Sequence, residues 1–403
     1  MSIAAGDDER TRRYRSKREA ILAAATELLN VNGVRGFTLN DVAQRVGLNT
    51  PSVSYYFRKK EDLAAACIMS SIERFNALIA LAQTGRDARE RLSILIEAYF
   101  DLRRRIRLGE EPPMTAFNEV RAFKPPHDKA VADAYVEMFR AVRRLLDDPG
   151  ALDGARRRRT ARARLALELL FWSPSILQNY EPEEFSRARR RFADVLLDGL
   201  AAPGQVWRPR AIEPPPPNPD ASREAFLIAA TALINEQGYR GASVEKISAR
   251  LNVTKGSFYH HNLAKDDLVI ACFERAIGII RGIERAAAAE ETGWARLCAA
   301  GSALLKFQIS ERGPILRLVA ITGLPARPDL MSQFDRVSDR FAAVISEGIA
   351  DGSIRPVDPI IAAQMFAAMI SSSAGAPAWI ADLTAEEFPE LYVKPLLTGL
   401  FTP

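Results

Sequence analysis

One stretch of the sequence occurs twice and decides the fold. Residues 16–67 read SKREAILAAATELLNVNGVRGFTLNDVAQRVGLNTPSVSYYFRKKEDLAAAC, and residues 221–272 read ASREAFLIAATALINEQGYRGASVEKISARLNVTKGSFYHHNLAKDDLVIAC. The two stretches align without a gap at a constant spacing of 205 positions. Identical pairs include Asn30 and Asn235, Gly33 and Gly238, and Cys67 and Cys272. Self-similarity at a fixed period marks a repeated structural unit, so the chain is predicted to be a tandem duplication of one fold.

Length and charge agree with two units that are not equivalent. A chain of 403 residues suits two units of about 200 residues each. Its 48% hydrophobic and 26% charged residues are typical of globular proteins. Residues 10–60 contain eleven Arg and Lys against three acids, whereas residues 215–265 contain six against four. The first copy is therefore expected to bind a polyanion more strongly than the second.

Cysteine usage and apolar runs bear on the compartment. The three cysteines form no CxxC pair, and the first residues lack the apolar core of a signal peptide, so a reduced, cytoplasmic protein is expected. One uncharged run, residues 359–381, is long enough to span a bilayer. Because Gln364 and Pro377 interrupt this run and no basic anchor flanks it, we expect a buried helix and no membrane span.

Residue types that carry out catalysis are sparse, so no enzyme is expected. The chain has three histidines, at positions 127, 260 and 261, and it has no phosphate-binding glycine loop and no nucleophile motif. Adjacent His260 and His261 point about 100° apart on a helix and make a poor metal chelate. No metal and no cofactor are expected.

A proline-rich segment separates the copies. Residues 203–219 contain the run PPPPNP, which cannot continue a helix and favours an extended, semi-rigid spacer. The predicted domains are helix-turn-helix domains at 1–60 and 220–265, and helical regulatory and dimerisation domains at 61–202 and 266–403.

Hydrophobic periodicity predicts an all-α fold. Long helices are expected near 61–83, 87–108, 128–148, 160–179 and 183–201, and near 265–289, 294–311, 327–350, 358–380 and 385–400. Before them, Thr38 is a predicted N-cap, Gly47 a turn, and Pro51 a first-turn residue, which together give the pattern of a helix-turn-helix. With Val53 and Phe57 directed inward, Pro51, Ser54, Tyr55 and Arg58 face outward, where they could enter a major groove.

About fifty residues in each copy, quoted above, resemble the tetracycline-repressor (TetR-like) family of bacterial transcription regulators. The resemblance covers roughly a quarter of the chain, and it implies two tandem units packed as a single-chain pseudo-dimer. In each unit, three N-terminal helices would bind double-stranded operator DNA. A larger helical domain would dimerise and hold a small apolar effector whose binding releases a repressor, and a further homodimer is possible.

The resemblance and the outward positions give two predicted DNA-binding sets. The first copy contributes Arg13, Arg15, Thr38, Asn40, Thr50, Pro51, Ser52, Ser54, Tyr55, Tyr56 and Lys60. The second copy contributes Ser243, Glu245, Lys255, Gly256, Ser257, Tyr259, His260 and Lys265. The basic residues before position 16 are expected to form an arm ahead of the first helix.

Departures from the family pattern leave two interpretations open. Where members commonly have a Tyr in the middle of the reading helix, the first copy has Ser54 and the second has Tyr259. The second copy has Asn262 at the position of the apolar Phe57. Either both heads read a pseudo-palindromic or asymmetric operator, or only the first reads DNA and the second copy is an internal dimerisation or protein-interaction partner.

Aromatic and apolar side chains in the later helices are candidates for the effector site. Those chosen are Phe100, Phe117, Tyr135, Phe139 and Trp172 in the first copy, and Trp294, Phe307, Phe341, Met365 and Trp379 in the second. Two arginine runs, residues 155–164 and 187–191, are expected to be solvated helix faces, with contact to DNA or a partner as the alternative.

Overall fold

A computed structural model describes residues 3–117, 120, 123, 125–147, 155–251, 265–317 and 328–402. Every named element in these ranges is a helix, which confirms the all-α prediction. The first copy contains α1 (Ile3–Gly36), α2 (Leu39–Arg45), α3 (Thr50–Tyr56), α4 (Lys60–Ala82), α5 (Ala88–Arg107), α6 (His127–Leu145), α7 (Ala155–Ile176) and α8 (Phe185–Asp198). The second contains α9 (Ala221–Gly241), α10 (Val244–Leu251), α11 (Lys265–Ala287), α12 (Gly293–Gln308), α13 (Pro328–Ala350), α14 (Pro359–Ser373) and α15 (Glu387–Thr398).

The duplication is visible in backbone detail. Helices α4 and α11 both have 23 residues, and their ends lie 205 positions apart. Helices α1 and α9 break at matching glycines, Gly33 with φ 68° and ψ 172° and Gly238 with φ 70° and ψ 168°. Side chains with a Cβ atom avoid this backbone conformation. The identity of these two positions therefore has a structural cause.

A buried cysteine repeats in the same way. The Cys67 Sγ lies 3.6 Å from the carbonyl oxygen of Leu22, and the Cys272 Sγ lies 3.6 Å from that of Leu227. Burial raises the pKa of each of these two thiols to about 11. Both cysteines are therefore packing residues, one holding α4 against α1 and the other holding α11 against α9.

The chain divides into two compact units. One comprises Met1–Ala77 and Arg105–Met138, and the other comprises Leu78–Arg104 and Phe139–Pro403. This division does not follow the boundaries expected from the sequence, and the predicted domains stay a prediction. The first unit contains the first helix-turn-helix, and the second contains all described helices of the second copy together with α7 and α8.

Inside the second unit, α7 and α8 pack against α14 and α15. The uncharged run forms the 15-residue helix α14, most of which is buried. Another helix, α4, is the one described helix that is long and apolar enough to cross a membrane, and half of that stretch is buried within the protein. At the far end of the packed helices, the Leu200 amide donates to the Leu397 carbonyl at 2.7 Å, and the Leu400 amide donates to the Leu196 carbonyl at 3.1 Å.

The proline-rich linker lies on the second copy. The indole of Trp294 donates to the Val206 carbonyl at 3.1 Å, and Arg210 donates to the Ala286 carbonyl at 2.9 Å. A Cβ atom on Gly282 of α11 would lie 2.7 Å from Cγ of Pro215. The linker is therefore docked along α11 rather than being a free spacer, because α11 has a glycine where the proline ring must fit.

Candidate nucleic-acid interface

Both short helices of the first head begin at a side-chain cap. The Asp41 amide donates to Thr38 Oγ1 at 3.2 Å, and the Thr38 amide donates to Asp41 Oδ2 at 2.8 Å, which completes a capping box. The Asn49 side chain accepts from the Ser52 amide at 2.9 Å and starts α3. The Thr38 cap was predicted from the sequence, and the Asn49 cap was not.

The inner face of the head is apolar and tightly closed. Val42, Ala43 and Val53 are fully buried, and Phe57 is 7% exposed. The guanidinium of Arg18 lies 5.4 Å from the centre of the Phe57 ring, so α1 covers the end of α3 by a cation–π contact. These contacts confirm that Val53 and Phe57 point inward.

The outer face of α3 is open. Tyr55 is the most exposed large apolar side chain of the head, at 76%. Pro51 and Arg58 are also exposed, and Ser54 is half-buried. Short side chains flanked by an exposed phenol let a helix backbone approach base edges and place a hydroxyl near phosphates.

A third tyrosine joins this face. The Tyr14 ring lies 4.8 Å from that of Tyr56 and 6.3 Å from that of Tyr55, between ring centres. Tyr14 and its neighbour Arg15 belong to α1, which extends back to Ile3. The expected arm ahead of the first helix is thus part of that helix. Tyr14 was not among the residues predicted to bind DNA, although an aromatic residue inside the basic segment RRYR is a usable signal.

Several residues of the predicted DNA-binding set already have structural partners. Lys60 Nζ donates to the carbonyls of Arg35 at 3.3 Å and Phe37 at 3.5 Å. Thr50 Oγ1 donates to Asn40 Oδ1 at 3.1 Å. Among the other members, Arg13 and Arg15 are exposed and Ser52 and Tyr56 half-buried. Contact of any of them with DNA stays a prediction.

The second head caps its first short helix differently. Ser243 Oγ accepts from the Lys246 amide at 3.3 Å, as Thr38 does in the first head, but Lys246 stands at the position of Asp41. Its ammonium donates to the Gly241 carbonyl at 2.8 Å, so the capping box is lost. Glu245 is exposed. Lys255, Gly256, Ser257, Tyr259 and His260 lie outside the described residues, and only the backbone of Lys265 is described, where it begins α11.

An apolar pocket opens among the helices of the second copy. Its empty volume is about 460 Å³. It is lined by Phe273, Ala276, Ile277 and Ile280 of α11, Ile315 and Leu316, Val337 and Phe341 of α13, and Ala367, Ile370 and Ser371 of α14. One serine is the only polar residue in this lining, so the pocket suits an uncharged, apolar molecule.

Hydrogen bonds fix one wall of this pocket to the second head. Asn235 of α9 donates to the Ile315 carbonyl at 2.9 Å and accepts from the Arg317 amide at 2.8 Å. The Ile315 amide donates to the side chain of Gln308 at 2.9 Å. The first copy repeats the clamp, because Asn30 donates to the Met114 carbonyl and accepts from the Ala116 amide, both at 2.8 Å.

Of the predicted effector residues of the second copy, Phe341 lines this pocket, and Trp294, Phe307, Met365 and Trp379 do not. Trp294 holds the linker, and Met365 is fully buried in α14. Phe307 lies beneath two guanidinium groups, those of Arg275 at 5.9 Å and Arg312 at 5.6 Å. Their role in binding an effector stays a prediction.

In the first copy, the predicted effector residues make separate aromatic contacts. The rings of Phe117 and Tyr135 lie 5.9 Å apart in the first unit. In the second unit, Phe100 packs against Phe192 and Phe139 against Trp379, while Trp172 is half-buried. Their predicted effector role is likewise untested by this packing. Among the described residues, no group of three or more His, Cys, Asp or Glu side chains is placed to hold a metal ion.

Comparison with known protein families identifies three segments. Residues 21–67 and 226–272 each match the N-terminal domain described as bacterial regulatory proteins, tetR family. Residues 295–390 match the C-terminal domain of AefR-like transcriptional repressors. The two N-terminal matches start and end 205 positions apart, the spacing found in the sequence.

Individual relatives are more distant. The Tn10 TetC protein of Escherichia coli is 25% identical over 138 residues, which cover 34% of this chain and 69% of that protein. AibR, solved in complex with isovaleryl coenzyme A and operator DNA, is 24% identical with a TM-score of 0.37, covering 44% of this chain and 99% of its own. A TetR/AcrR regulator from Thermobifida fusca is 21% identical with a TM-score of 0.30, covering 45% of this chain and 96% of its own.

Proposed function

Because this chain belongs to the tetR family of bacterial regulatory proteins, as a tandem duplication with the DNA-binding domain present twice, we propose that it is a repressor whose two heads read different half-sites of one operator. The observation that carries the proposal is the pair of helix-turn-helix segments at a fixed spacing with different outward residues. The corresponding segments read TPSVSYY at residues 50–56 and KGSFYHH at residues 255–261. Symmetric dimers read palindromes, so two unlike heads in one chain suit an operator with unlike halves.

The repressor assignment draws on the C-terminal match. Residues 295–390 carry the AefR-like transcriptional repressor domain, and the apolar pocket lies among the helices of this region. An apolar effector in the pocket would press on Ile315 and Leu316. Because Asn235 ties that wall to α9, the first helix of the second head, a shift of the wall would move the head away from its half-site.

We also propose that α7 and α8 of the first copy pack against α14 and α15 of the second in the same way as the matching helices of two subunits pack in a dimer. Packing of these four helices and the two near-reciprocal hydrogen bonds between Leu200 and Leu397 and between Leu400 and Leu196 support this pseudo-dimer. Light scattering coupled to size exclusion should give the mass of one chain, 44.5 kDa, at micromolar concentration. A mass of two chains would replace this proposal by that of a further homodimer.

The alternative is that only the first head reads DNA. The first head has the larger excess of positive charge, and the second has Asn262 in place of an apolar anchor. Under this alternative the second copy is an internal partner that completes the pseudo-dimer. A single-half-site operator would follow.

Selection of bound duplexes from a random pool, followed by footprinting, tests the proposal. We expect two protected half-sites of different sequence. The Tyr55→Ala change should weaken binding through one half-site and Tyr259→Ala through the other, each by about 1–3 kcal/mol. Leu108→Ala, an exposed apolar side chain outside both heads, is the matched control and should leave binding unchanged.

Two results would contradict the proposal in different ways. A footprint on one half-site, with Tyr259→Ala silent, would leave the single-head alternative. Failure of the wild-type chain to enrich any sequence above the random pool would remove sequence-specific DNA reading altogether.

A further inference from the structure

The arginine run at residues 155–164 is partly neutralised by fixed partners. Arg157 donates to the Asp382 carbonyl at 2.7 Å and pairs with Glu387 at 3.2 Å. Arg159 pairs with Asp147 at 2.7 Å. These contacts account for part of the run, but they do not explain Arg158 and Arg162. These two arginines are four residues apart and lie on one face of α7.

Arg158 and Arg162 meet a third cation across a pocket. The pocket lies between α7 of the first copy and α15 of the second, and its empty volume is about 500 Å³. Lys394 of α15 stands on the opposite wall, beside Glu390. Leu391 and Pro395 add an aliphatic surface.

Positive charge in this pocket exceeds negative charge. Within the described part of the chain, neither Arg158 nor Lys394 has a carboxylate partner. Arg162 already donates to the Thr402 carbonyl at 2.8 Å, so Arg158 and Lys394 are the cations that the pocket offers to a ligand. The single acid, Glu390, accepts a hydrogen bond from the indole of Trp207.

The hydroxyl groups of the pocket are not available as donors to a bound anion. Thr398 donates its hydroxyl proton to the Lys394 carbonyl at 2.9 Å, and Thr402 donates to the Thr398 carbonyl at 2.6 Å. The hydrogen-bond donors available to a ligand are therefore guanidinium and ammonium groups. Guanidinium forks and a lysine point charge are the groups that proteins use to bind phosphate.

We propose that this pocket binds a small, multiply charged anion that carries phosphate groups. Cationic side chains of two facing helices line one pocket, whereas a duplex needs cations spread along a surface. Both copies supply walls, so a bound anion would join α7 to α15. The site is separate from both heads and from the apolar pocket, and it does not depend on the function proposed above.

Calorimetric titration of the full chain with sodium pyrophosphate, without DNA, tests the site. At 0.15 M salt we expect saturable one-to-one binding with a Kd below about 1 mM, and weaker binding of inorganic phosphate. The double change Arg158→Gln with Lys394→Gln should weaken pyrophosphate binding by about tenfold or more.

The matched control removes two charges elsewhere. Arg156 and Arg190 are exposed and do not line the pocket, so Arg156→Gln with Arg190→Gln should change affinity by less than about twofold. Circular dichroism melting verifies that each variant is folded, and Lys394→Gln alone replaces the double variant if that one is not.

Three results would overturn the proposal. One is no binding of pyrophosphate at millimolar concentration. Another is equal weakening in both double variants, which would mean non-specific charge attraction. The third is that a random-sequence duplex, and not pyrophosphate, binds in a way that depends on Arg158 and Lys394, which would make the pocket a nucleic-acid contact.

Discussion

The backbone of Gly399 passes so close to Gly199 that a Cβ atom on Gly199 would lie 2.3 Å from the Gly399 nitrogen. The reverse contact is also tight, because a Cβ atom on Gly399 would lie 2.8 Å from the Leu197 carbonyl oxygen. Both glycines have positive φ, 69° and 100°. Each glycine precedes the last leucine of a similar sequence, LLDGL at residues 196–200 and LLTGL at residues 396–400. The two copies therefore meet at the same point, the end of their last helices.

Gly199→Ala should separate the ends of α8 and α15. The added methyl group meets backbone atoms, which cannot rotate away, and the left-handed φ adds strain. We expect the free energy of unfolding to fall by about 3–5 kcal/mol, measured by differential scanning calorimetry.

Gly204→Ala is the matched control for that change. Gly204 has a φ of 86°, and a Cβ atom there would meet nothing within 4 Å. Only the backbone strain applies, so a loss of about 1–2 kcal/mol is expected. Equal losses at the two positions would show that the contact between Gly199 and Gly399 contributes nothing.

Asn235→Ala should loosen the wall of the apolar pocket. The change removes one donor and one acceptor, which leaves the Ile315 carbonyl and the Arg317 amide without this partner. The cost should be about 1–3 kcal/mol. Asn235→Asp keeps the acceptor for Arg317 and loses the donor to Ile315, so hydrogen exchange should rise less at the Arg317 amide than in the alanine variant.

Asn30→Ala provides the comparison in the first copy. The same two hydrogen bonds are lost there, and the loss of stability should be similar. The two variants should differ, however, in how an apolar effector bound in the second-copy pocket changes operator affinity. That change should be lost only in the Asn235 variants. An effector response that survives Asn235→Ala unchanged would contradict transmission through this clamp.

Glu284 should make the protein less stable at high pH. Burial raises the pKa of Glu284 from its ordinary value of 4.5 to about 7, and this effect outweighs the opposing attraction of Arg340, whose Nε lies 2.9 Å from Oε2 of the acid. The folded state therefore holds this proton more tightly than the unfolded state does. Below pH 4.5 Glu284 is protonated in both states and does not lower the free energy of unfolding. As the pH rises from 4.5 to 7, its ionisation lowers the free energy of unfolding progressively, and the loss is complete above pH 7.

Melting curves at pH 5 and pH 8 test this titration. Glu284→Gln should reduce the loss of stability between these two pH values by on the order of 2–3 kcal/mol. Glu183→Gln, at an exposed position, is the control and should leave the pH difference as it is in the wild type. The same pH difference in all three proteins would refute a raised pKa for Glu284.

The three cysteines should be unreactive in the folded protein. All are buried, and burial also raises the pKa of the Cys298 thiol. Labelling with a thiol reagent at pH 8 should be at least about a hundredfold slower than after unfolding in urea, because little thiolate forms and the reagent has no access. Fast modification of the native chain, followed by mass spectrometry, would identify any cysteine for which this is wrong.

Arg15 should contribute to DNA binding through charge alone. It is exposed on α1 beside Tyr14, and one lost phosphate contact should reduce the slope of log affinity against log salt by about 1 for all sequences alike. Arg190→Gln, on α8, is the control, because it removes the same charge from a helix that belongs to neither head. An unchanged slope in Arg15→Gln would show that this part of α1 does not contact phosphates.

The first head could be predicted well because its signals are local. Thr38 with Asp41 and the inward pair Val53 and Phe57 lie within a few residues of each other, and spacing alone places them. The extension of α1 to Ile3 was not predicted, because the charge pattern before position 16 suggested an arm. Helix propensity alone is a weak guide there.

Contacts between distant segments could not be predicted. Asn30 and Asn235 are identical in the sequence alignment, but their hydrogen-bond partners lie eighty or more positions further along the chain. Proline content predicted an extended linker, but it did not reveal that Pro215 packs against Gly282. Aromatic residues were chosen for the effector site, whereas the pocket is largely aliphatic, because helix packing decides which residues border a void.

The docked linker also changes how occupancy depends on dilution. Two separate chains must first find each other, so their occupancy of a two-part operator falls with the square of concentration once the dimer dissociates. Residues 203–219 hold both copies on one polypeptide, so the second copy is present at a fixed, high effective concentration. Mass action then involves one molecule and one operator, and occupancy should follow a simple hyperbola down to the lowest cellular copy number.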